Sequence, residues 1–120
     1  MRNSFTGDAD PAAALLAARL GGLPSQTITG FGNREFDAVS SDFIAQTTAS
    51  QSAVTKPGNF LTRERKAQIR ATLEAAKQEG KVAYFEFTAG NPHSDVVICI
   101  DRNALRFGAY YVIAVPKDEQ

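Results

Sequence analysis

The second half of the chain alternates helical segments with strand-like ones, and this alternation constrains the fold more than any other feature. The stretch from Thr62 to Gly80 begins with a threonine suited to an N-cap and ends with a glycine terminator. Its apolar residues Ile69, Leu73 and Ala76 recur at helical spacing on one face. The strand-like KVAYFEF follows, then a second stretch with helical spacing, and finally the strand-like AYYVIAV. Strands joined by crossover helices pair in parallel, so the sequence predicts a partly parallel sheet.

The first half of the chain predicts one short helix and an antiparallel hairpin. In DPAAALLAARLGG, Asp10 suits the N-cap, Pro11 the first helical position and the two glycines the stop, so a helix is expected over about residues 10–21. The stretch QTITGFGN indicates a short strand or an extended loop. REFDAV and DFIAQTT alternate polar and apolar residues on either side of two serines, which predicts a hairpin. The polar stretch ASQSAVTKPGN, with its Pro-Gly pair, predicts a loop.

Together these segments predict an α/β fold, a mixed β-sheet flanked by helices. A chain of 120 residues is expected to form one domain, residues 1–120, with its core over about residues 30–115. No apolar run approaches the ~20 residues that cross a bilayer. The first residues lack the features of a signal peptide, so export would need a signal in a longer parent chain. The single cysteine, Cys99, excludes an internal disulfide and is expected to be buried.

Positive charge is concentrated around the predicted long helix. The formal net charge is zero, which by itself argues against a nucleic-acid-binding protein. Between Lys56 and Lys81, however, seven basic residues stand against three acidic ones, a local charge of +4. Four of the basic residues recur at helical spacing and form one basic stripe: Arg63, Lys66, Arg70 and Lys77. The stripe matches a phosphate backbone, although a solvated helix face is the simpler explanation.

Two acidic residues and a glutamine on the predicted hairpin are candidates for a metal site. Residues of the same parity share a face of a strand, so Glu35 and Asp37 are expected on one face and Phe36 and Ala38 on the other. If the polar faces of the two strands meet, Asp37 and Gln46 converge near Glu35. Oxygen ligands of this kind suit Mg²⁺ or Mn²⁺. The alternative is that both acids face solvent on an edge strand, where charge prevents aggregation.

These residues resemble a known family. The run GFGNREFDAV…FIAQ…KPGNFL…GKVAYFEF is similar to the PD-(D/E)xK, or restriction-endonuclease-like, toxin domains at the C-termini of contact-dependent growth inhibition and related polymorphic toxins of bacteria. The resemblance spans about Gly30 to Val115 and includes the order of the elements. In that fold an acid on one strand and a D/E-x-K motif on the next build a metal site, and these toxins often carry Q-x-K. Carried over, Asp37 takes the place of the first acid with Glu35 beside it, and Gln46 takes the D/E place.

The sequence departs from this pattern two residues after Gln46. The family has a lysine where this chain has Thr48. One explanation is an insertion that displaced the lysine to Lys56. Another is that its role moved to the following helix, where Arg65 is in line with the inward face and Lys66 is its neighbour. Loss of activity is the third alternative.

The resemblance implies a toxin nuclease that cleaves RNA, tRNA in particular, by metal-assisted phosphodiester cleavage. Asp37 and Glu35 would hold the divalent ion, Mg²⁺ with Mn²⁺ or Zn²⁺ as alternatives, and a basic side chain would offset the charge that grows in the transition state. The candidate catalytic residues are Glu35, Asp37, Gln46, Lys56 and Lys66. The residues expected to bind nucleic acid are Arg63, Arg65, Lys66, Arg70 and Lys77.

The resemblance also implies partners and a route of delivery. A cognate immunity protein is expected, because a nuclease whose substrate every cell shares endangers its producer. The domain would be exported or displayed at the cell surface as part of a larger protein, and it would act in the cytoplasm of a target cell. A DNase of the same fold and an inactive binding module are the competing interpretations.

The sole histidine and a pair of adjacent tyrosines are further candidates for a functional role. His93, the sole histidine, follows Pro92 at a predicted helix start, where a capping or surface role is expected rather than a catalytic one. Tyr110 and Tyr111 could stack on bases, but one of them is expected to face the core from the last strand.

Overall fold

The computed structural model describes residues 3–5 and 11–116, which form one mixed sheet with helices on both faces. The strands are β1 (Asn3–Phe5), β2 (Leu23–Ile28), β3 (Glu35–Val39), β4 (Phe43–Thr48), β5 (Val82–Phe87) and β6 (Tyr111–Ala114). The helices are α1 (Pro11–Leu20), α2 (Ser52–Thr55), α3 (Pro57–Phe60), α4 (Arg63–Glu79) and α5 (Ser94–Phe107).

The order of the strands in the sheet follows their order in the chain. Strands β1 to β4 pair antiparallel, whereas β4 pairs with β5 and β5 with β6 in parallel. Helices α4 and α5 make the two crossovers that parallel pairing requires. The predicted mixed sheet flanked by helices is confirmed. Strand β1 has no counterpart in the sequence-based prediction, because three residues carry no periodicity to recognise.

Both ends of α4 and the start of α5 lie where the sequence predicts them. Thr62 is the N-cap of α4, and its hydroxyl accepts a first-turn backbone N–H at 3.1 Å. His93 caps α5 in the same way, since its Nδ1 accepts the backbone N–H of Asp95 at 3.0 Å. Gly80 and Gly108 end the helices with φ of 68° and 67°, a left-handed conformation that glycine adopts without strain. The capping role expected for His93 is therefore confirmed.

The stretch predicted to be a loop contains two single-turn helices, so that prediction is wrong. Helices α2 and α3 each bury one side chain, Ala53 and Phe60, which are 1% and 4% exposed. Pro57 lies in the first turn of α3, where its missing N–H leaves no hydrogen bond unmade. Burial of two side chains thus organises a segment whose composition is otherwise polar. Helix α1 begins at Pro11 as predicted, while its predicted N-cap, Asp10, lies outside the described residues.

Consecutive residues of β4 face opposite sides of the sheet. Ile44 lies in the larger core cluster with Leu73 of α4 and Ile100 of α5. Ala45 lies in a smaller cluster with Leu16 of α1. The sheet is therefore thickly covered on the α4–α5 side and thinly covered on the α1 side. No helix in the described part of the chain is long and apolar enough to span a membrane.

Two residues expected in the core differ in how far they enter it. Cys99 packs against the larger cluster but is partly rather than fully buried. Tyr111 packs against the same cluster, whereas Tyr110 is 79% exposed, which fits the expectation that one of the two faces the core. Burial raises the pKa of Tyr111, and so does the hydrogen bond that its hydroxyl donates to Asp101 at 3.1 Å.

Candidate functional site

The pairing between β3 and β4 is short, and the candidate site lies where it ends. Both strands are fully described, and two residue pairs connect them: Ala38 with Ala45 and Val39 with Ile44. Continuing that register would set Asp37 opposite Gln46. Instead, the backbone N–H of Thr47 donates to Oδ2 of Asp37 at 2.8 Å. A carboxylate side chain therefore takes the place of a main-chain acceptor where the two strands diverge.

The alternation of side chains along β3 breaks at the same point. Phe36 lies in the larger core cluster, whereas Ala38 lies in the smaller cluster on the other side of the sheet. Ser25, at the facing position of β2, has a positive φ of 54°, and the β2–β3 ladder skips that position. The expectation that Phe36 and Ala38 share a face is therefore wrong, because a local distortion of the backbone reverses the parity. Glu35 is exposed at the start of β3, and Asp37 is half-buried.

Gln46 is buried and hydrogen-bonded to α4. Its side chain is 6% exposed, its Nε2 donates to Oγ1 of Thr72 at 3.2 Å, and its Oε1 accepts from Nε2 of Gln68 at 3.3 Å. Oε1 of Gln68 accepts in turn from Nη1 of Arg65 at 3.0 Å. Thr72 donates its own hydroxyl to the backbone carbonyl of Gln68 at 2.8 Å. The four side chains form one continuous chain, which we call the amide chain: Arg65, Gln68, Gln46 and Thr72.

The amide chain has one consistent direction. The hydroxyl hydrogen of Thr72 is used on a backbone carbonyl, so its oxygen accepts from Gln46. Gln46 must then turn its NH₂ towards Thr72 and its carbonyl oxygen towards Gln68. Gln68 presents its NH₂ to that oxygen and its own carbonyl oxygen to the Arg65 guanidinium. An amide at position 46 satisfies this sequence of donors and acceptors, whereas an ionised carboxylate would not.

Arg65 is the cation that the hydrogen bonds connect to Gln46. Its guanidinium lies 4.6 Å from the centroid of the Phe60 ring, within the range of a cation–π interaction. The side chain lines a narrow cavity against the ends of β4 and β5, together with Gln46 and Phe60. It also lines an open polar depression of about 290 Å³. Arg34, the residue before β3, lines the same depression. Arg65 therefore joins the buried amide chain to a solvent-accessible surface.

The other candidates for the missing lysine lie elsewhere. Thr48, at the lysine position itself, is half-buried, and its Oγ1 accepts the backbone N–H of Ser50 at 3.3 Å. Lys56 is exposed at the junction of α2 and α3. Lys66 lines a groove between α4 and α5, beside Arg102. Among Lys56, Arg65 and Lys66, the described hydrogen bonds link Arg65 to the strand residues.

The residues expected to bind nucleic acid occupy two sides of α4. At about 100° per residue, the four stripe residues fall within roughly 60° of one another around the helix axis: Arg63, Lys66, Arg70 and Lys77. Arg65 lies roughly 160° around the axis from Arg63. The basic stripe therefore faces away from the amide chain, and a polyanion that contacts both must pass over the N-terminal end of α4.

The donor set at this end of the sheet is sparse and consists of oxygens. In the part of the chain that the structure describes, no three His, Cys, Asp or Glu side chains form a group able to hold a metal ion. The candidate ligands are the carboxylates of Asp37 and Glu35 and the amide oxygen of Gln46. Mg²⁺ commonly takes one or two carboxylates and keeps several waters, so this set fits Mg²⁺ or Mn²⁺. It fits Zn²⁺ less well, because zinc favours nitrogen and sulfur ligands.

A buried ionic group on the α1 side has no counterpart in the sequence-based prediction. Glu86 of β5 is 1% exposed, and its carboxylate accepts from the guanidinium of Arg19 and from the hydroxyl of Thr47. Burial raises the pKa of Tyr84, the Glu86 carboxylate raises it further, and Arg19 acts in the opposite sense. The signal was present in KVAYFEF, because a carboxylate within a buried strand requires a partner.

A family model described as restriction endonuclease fold toxin 3 matches residues 2–106. No curated protein and no solved structure matches the chain. The matched range includes Asp37, Gln46 and Arg65.

The direction of the amide chain predicts the effect of placing an acid at position 46. In Gln46→Glu, the introduced carboxylate faces the oxygen of Thr72, which has no hydrogen left to donate. We expect the folded state to raise the pKa of the introduced carboxyl above its unfolded value of about 4.3. Stability is then retained below that value and lost as the pH rises through the folded pKa. Near pH 7 the free energy of unfolding should fall by about 1–3 kcal/mol relative to the parent chain.

Urea denaturation of both proteins at about pH 4 and pH 7 measures this difference. Gln46→Met is the matched control, because its loss of hydrogen bonds does not depend on pH. A Gln46→Glu protein as stable as the parent at pH 7 would show that Thr72 can reverse its hydroxyl, and the inferred direction would be wrong.

Proposed function

Because the chain belongs to the restriction endonuclease fold toxin family, we propose that it is a toxin nuclease that cleaves RNA, with tRNA as its substrate. The family match supports the nuclease class. The observation that carries the rest is that Asp37, Gln46 and Arg65, from two strands and a helix, belong to hydrogen-bonded groups at one end of the sheet. A carboxylate, an oriented amide oxygen and a cation are the groups that metal-assisted phosphodiester cleavage needs.

In the proposed mechanism each residue has a separate role. A bound divalent ion would polarise the scissile phosphate and lower the pKa of bound water. Asp37, with Glu35 beside it, would hold the ion, and the Thr47 N–H holds the Asp37 carboxylate in place. Gln46 would supply a neutral oxygen whose direction the amide chain fixes. Arg65 would offset the negative charge that develops on the phosphate oxygens.

A folded RNA suits the distribution of positive charge around α4. Arg65 and the basic stripe lie on opposite sides of this helix, so a flat or narrow polyanion would meet only one of them. A bulky RNA can contact both around the N-terminal end of the helix. Structured RNA is recognised mainly through its shape and backbone, which positively charged side chains on a curved surface can provide.

Membership of this toxin family also has consequences for how the domain is delivered and which protein binds it. Toxin domains of this family imply a cognate immunity protein. We place this chain in a larger exported or cell-surface protein that delivers it to the cytoplasm of a competing cell. The immunity protein would be acidic where it meets the basic stripe, because complementary charge speeds association and would block the path of the substrate.

One observation favours a second candidate function. Thr48 occupies the position of the family lysine, and its side chain is engaged in a local turn. A domain that lost the lysine without replacing it would be an inactive binding module. The two functions are separated by whether purified protein degrades total tRNA with Mg²⁺ and stops when EDTA is added.

Asp37→Asn is expected to abolish cleavage while leaving the fold intact. Asparagine keeps an oxygen that can accept the Thr47 N–H, but it removes the charge that holds the metal ion. Mg²⁺-dependent degradation of total tRNA should fall by at least about 10²-fold, the scale of losing one electrostatic group in a nuclease site. Asp42→Asn, an exposed acid in the β3–β4 turn, is the matched control.

A plasmid substrate in the same assay tests the DNase alternative. Activity of Asp37→Asn within about twofold of the parent chain would remove Asp37 from the site. Cleavage of plasmid but not tRNA would replace the proposed substrate and keep the proposed site.

Arg65→Ala is expected to lower kcat by about 10²-fold if this guanidinium stabilises the transition state. Arg65→Lys should recover only part of the activity, because an ammonium cannot reproduce the planar contacts with Phe60 and Gln68. Lys66→Ala should mainly raise KM for long RNA, since Lys66 lies on the basic stripe. Single-turnover cleavage assays measure both quantities. If Lys56→Ala is instead the most damaging change, an insertion has displaced the family lysine to that position.

Reversing the charge of the basic stripe is expected to slow binding of the immunity protein. The triple variant Arg63→Glu, Arg70→Glu and Lys77→Glu should lower the association rate about tenfold or more and weaken its dependence on salt. At about 1 M salt, where charges are screened within about 3 Å, the rates of parent and variant should converge. Stopped-flow mixing with the cognate immunity protein measures the rates. Unchanged rates at low salt would show that the inhibitor docks elsewhere.

A further inference from the structure

We propose that a buried chain of side chains on the α1 side, Arg19, Glu86 and Thr47, positions the carboxylate of Asp37. These residues act through Thr47 and touch neither substrate nor metal, so they are positioning residues. The inference rests on the proposed function for its consequence, which is metal binding by Asp37. We call the three residues the positioning chain.

The first link of the positioning chain is a buried ion pair. Glu86 is 1% exposed, and a carboxylate so fully buried requires a charged, hydrogen-bonding partner. Arg19, in the last turn of α1, donates from Nε to Oε2 at 3.0 Å and also from Nη2 to the same oxygen. The Arg19 side chain is 41% exposed, so its guanidinium reaches inward from the surface. The pair thus joins the last turn of α1 to β5.

The second link fixes the side chain of Thr47. Glu86 and Thr47 stand directly opposite each other in the parallel pairing of β4 with β5. The Thr47 hydroxyl donates to Oε1 of Glu86 at 2.6 Å, while Arg19 occupies the other oxygen. Because each oxygen has a different partner, the carboxylate cannot rotate without breaking one of the bonds. Thr47 is therefore held in one rotamer by a short, charge-assisted hydrogen bond.

The third link reaches the candidate catalytic residue. The backbone N–H of Thr47 donates to Oδ2 of Asp37 at 2.8 Å, at the point where the β3–β4 ladder has ended. No ladder pair joins Asp37 to β4 there, so this bond ties its carboxylate to that strand. A displacement of Thr47 would consequently move the Asp37 carboxylate.

The same ion pair contributes to the docking of α1 on the sheet. Its cluster with the sheet contains Leu16 and Ala17 from the helix and Ala38 and Ala45 from the strands. Leu20 and Tyr84 pack against this cluster, and the Arg19–Glu86 pair adds a polar contact between the same helix and the sheet. Arg19 therefore connects the docking of α1 to the geometry of Asp37 through three hydrogen-bonded steps.

Thr47→Val tests the positioning chain with the smallest change. Valine removes the hydroxyl but keeps the backbone N–H that bonds to Asp37, and Thr47→Ser is the matched control that restores the donor. In the intact chain we expect Thr47→Val to weaken Mn²⁺ binding by about 10-fold to 100-fold, the range found for groups that orient metal ligands. Calorimetric titration with Mn²⁺ measures this affinity. For RNA cleavage, kcat should fall and KM should stay unchanged, with both kcat and metal affinity recovered in Thr47→Ser.

The amide proton of Thr47 gives a readout that does not depend on activity. Its NMR chemical shift should move upfield in Thr47→Val and in Arg19→Met, because the bond to Asp37 lengthens, and return in Thr47→Ser and Arg19→Lys. If the shift and the metal affinity stay at parent values in Thr47→Val while only stability falls, the chain is merely structural and the inference is wrong.

Metal binding, RNA cleavage and the amide shifts together separate this inference from the proposed function. A parent chain that neither binds Mn²⁺ nor cleaves RNA would overturn the proposed function. The amide shifts would still decide whether Arg19 and Glu86 position Asp37.

Discussion

The candidate site depends on the early end of the ladder between β3 and β4. Had main-chain pairing continued, carbonyl groups would have satisfied the Thr47 N–H, and Asp37 would be an ordinary strand carboxylate. Because the strands diverge, a side chain makes this bond and ties an acid to the neighbouring strand. The distortion at Ser25 accompanies the divergence, and a non-glycine residue with positive φ costs on the order of 1–3 kcal/mol. The surrounding sheet and helices hold that strained geometry.

Two hydrogen-bonded networks hold the end of β4 from opposite sides of the sheet. Gln46 points to α4 and belongs to the amide chain, whereas Thr47 points to α1 and belongs to the positioning chain. Since consecutive strand residues face opposite ways, a two-residue segment can take part in both networks. Each network ends in an arginine that reaches solvent, Arg65 on one side and Arg19 on the other. The buried amide and carboxylate are therefore satisfied without closing the site to water.

The sequence predicts the elements of this fold better than their local irregularities. Caps and apolar spacing identify both ends of α4 and the presence of α5, because these signals are local. The parity rule failed between Phe36 and Ala38, because it assumes a regular strand and no local pattern marks the irregularity opposite Ser25. Asp37 and Gln46 could be named from the hairpin and from the family resemblance. Gln68 and Thr72, the partners of Gln46, lie 22 and 26 residues from it, and Glu86 lies 39 residues from its partner Thr47. Pattern alone does not assign contacts across such distances.

The replacement of lysine by Thr48 has a chemical consequence if Arg65 takes over its role. An amide at position 46 in place of an acid removes one negative charge, so the site needs less positive charge to balance its carboxylates. A lysine can lose its proton and act as a base, but a guanidinium stays protonated at any pH that a folded protein tolerates. Arg65 would thus stabilise developing charge without accepting a proton from the attacking water. The proton must pass instead to solvent or to the phosphate itself. The open depression that Arg65 shares with Arg34 provides the solvent contact that such a transfer requires.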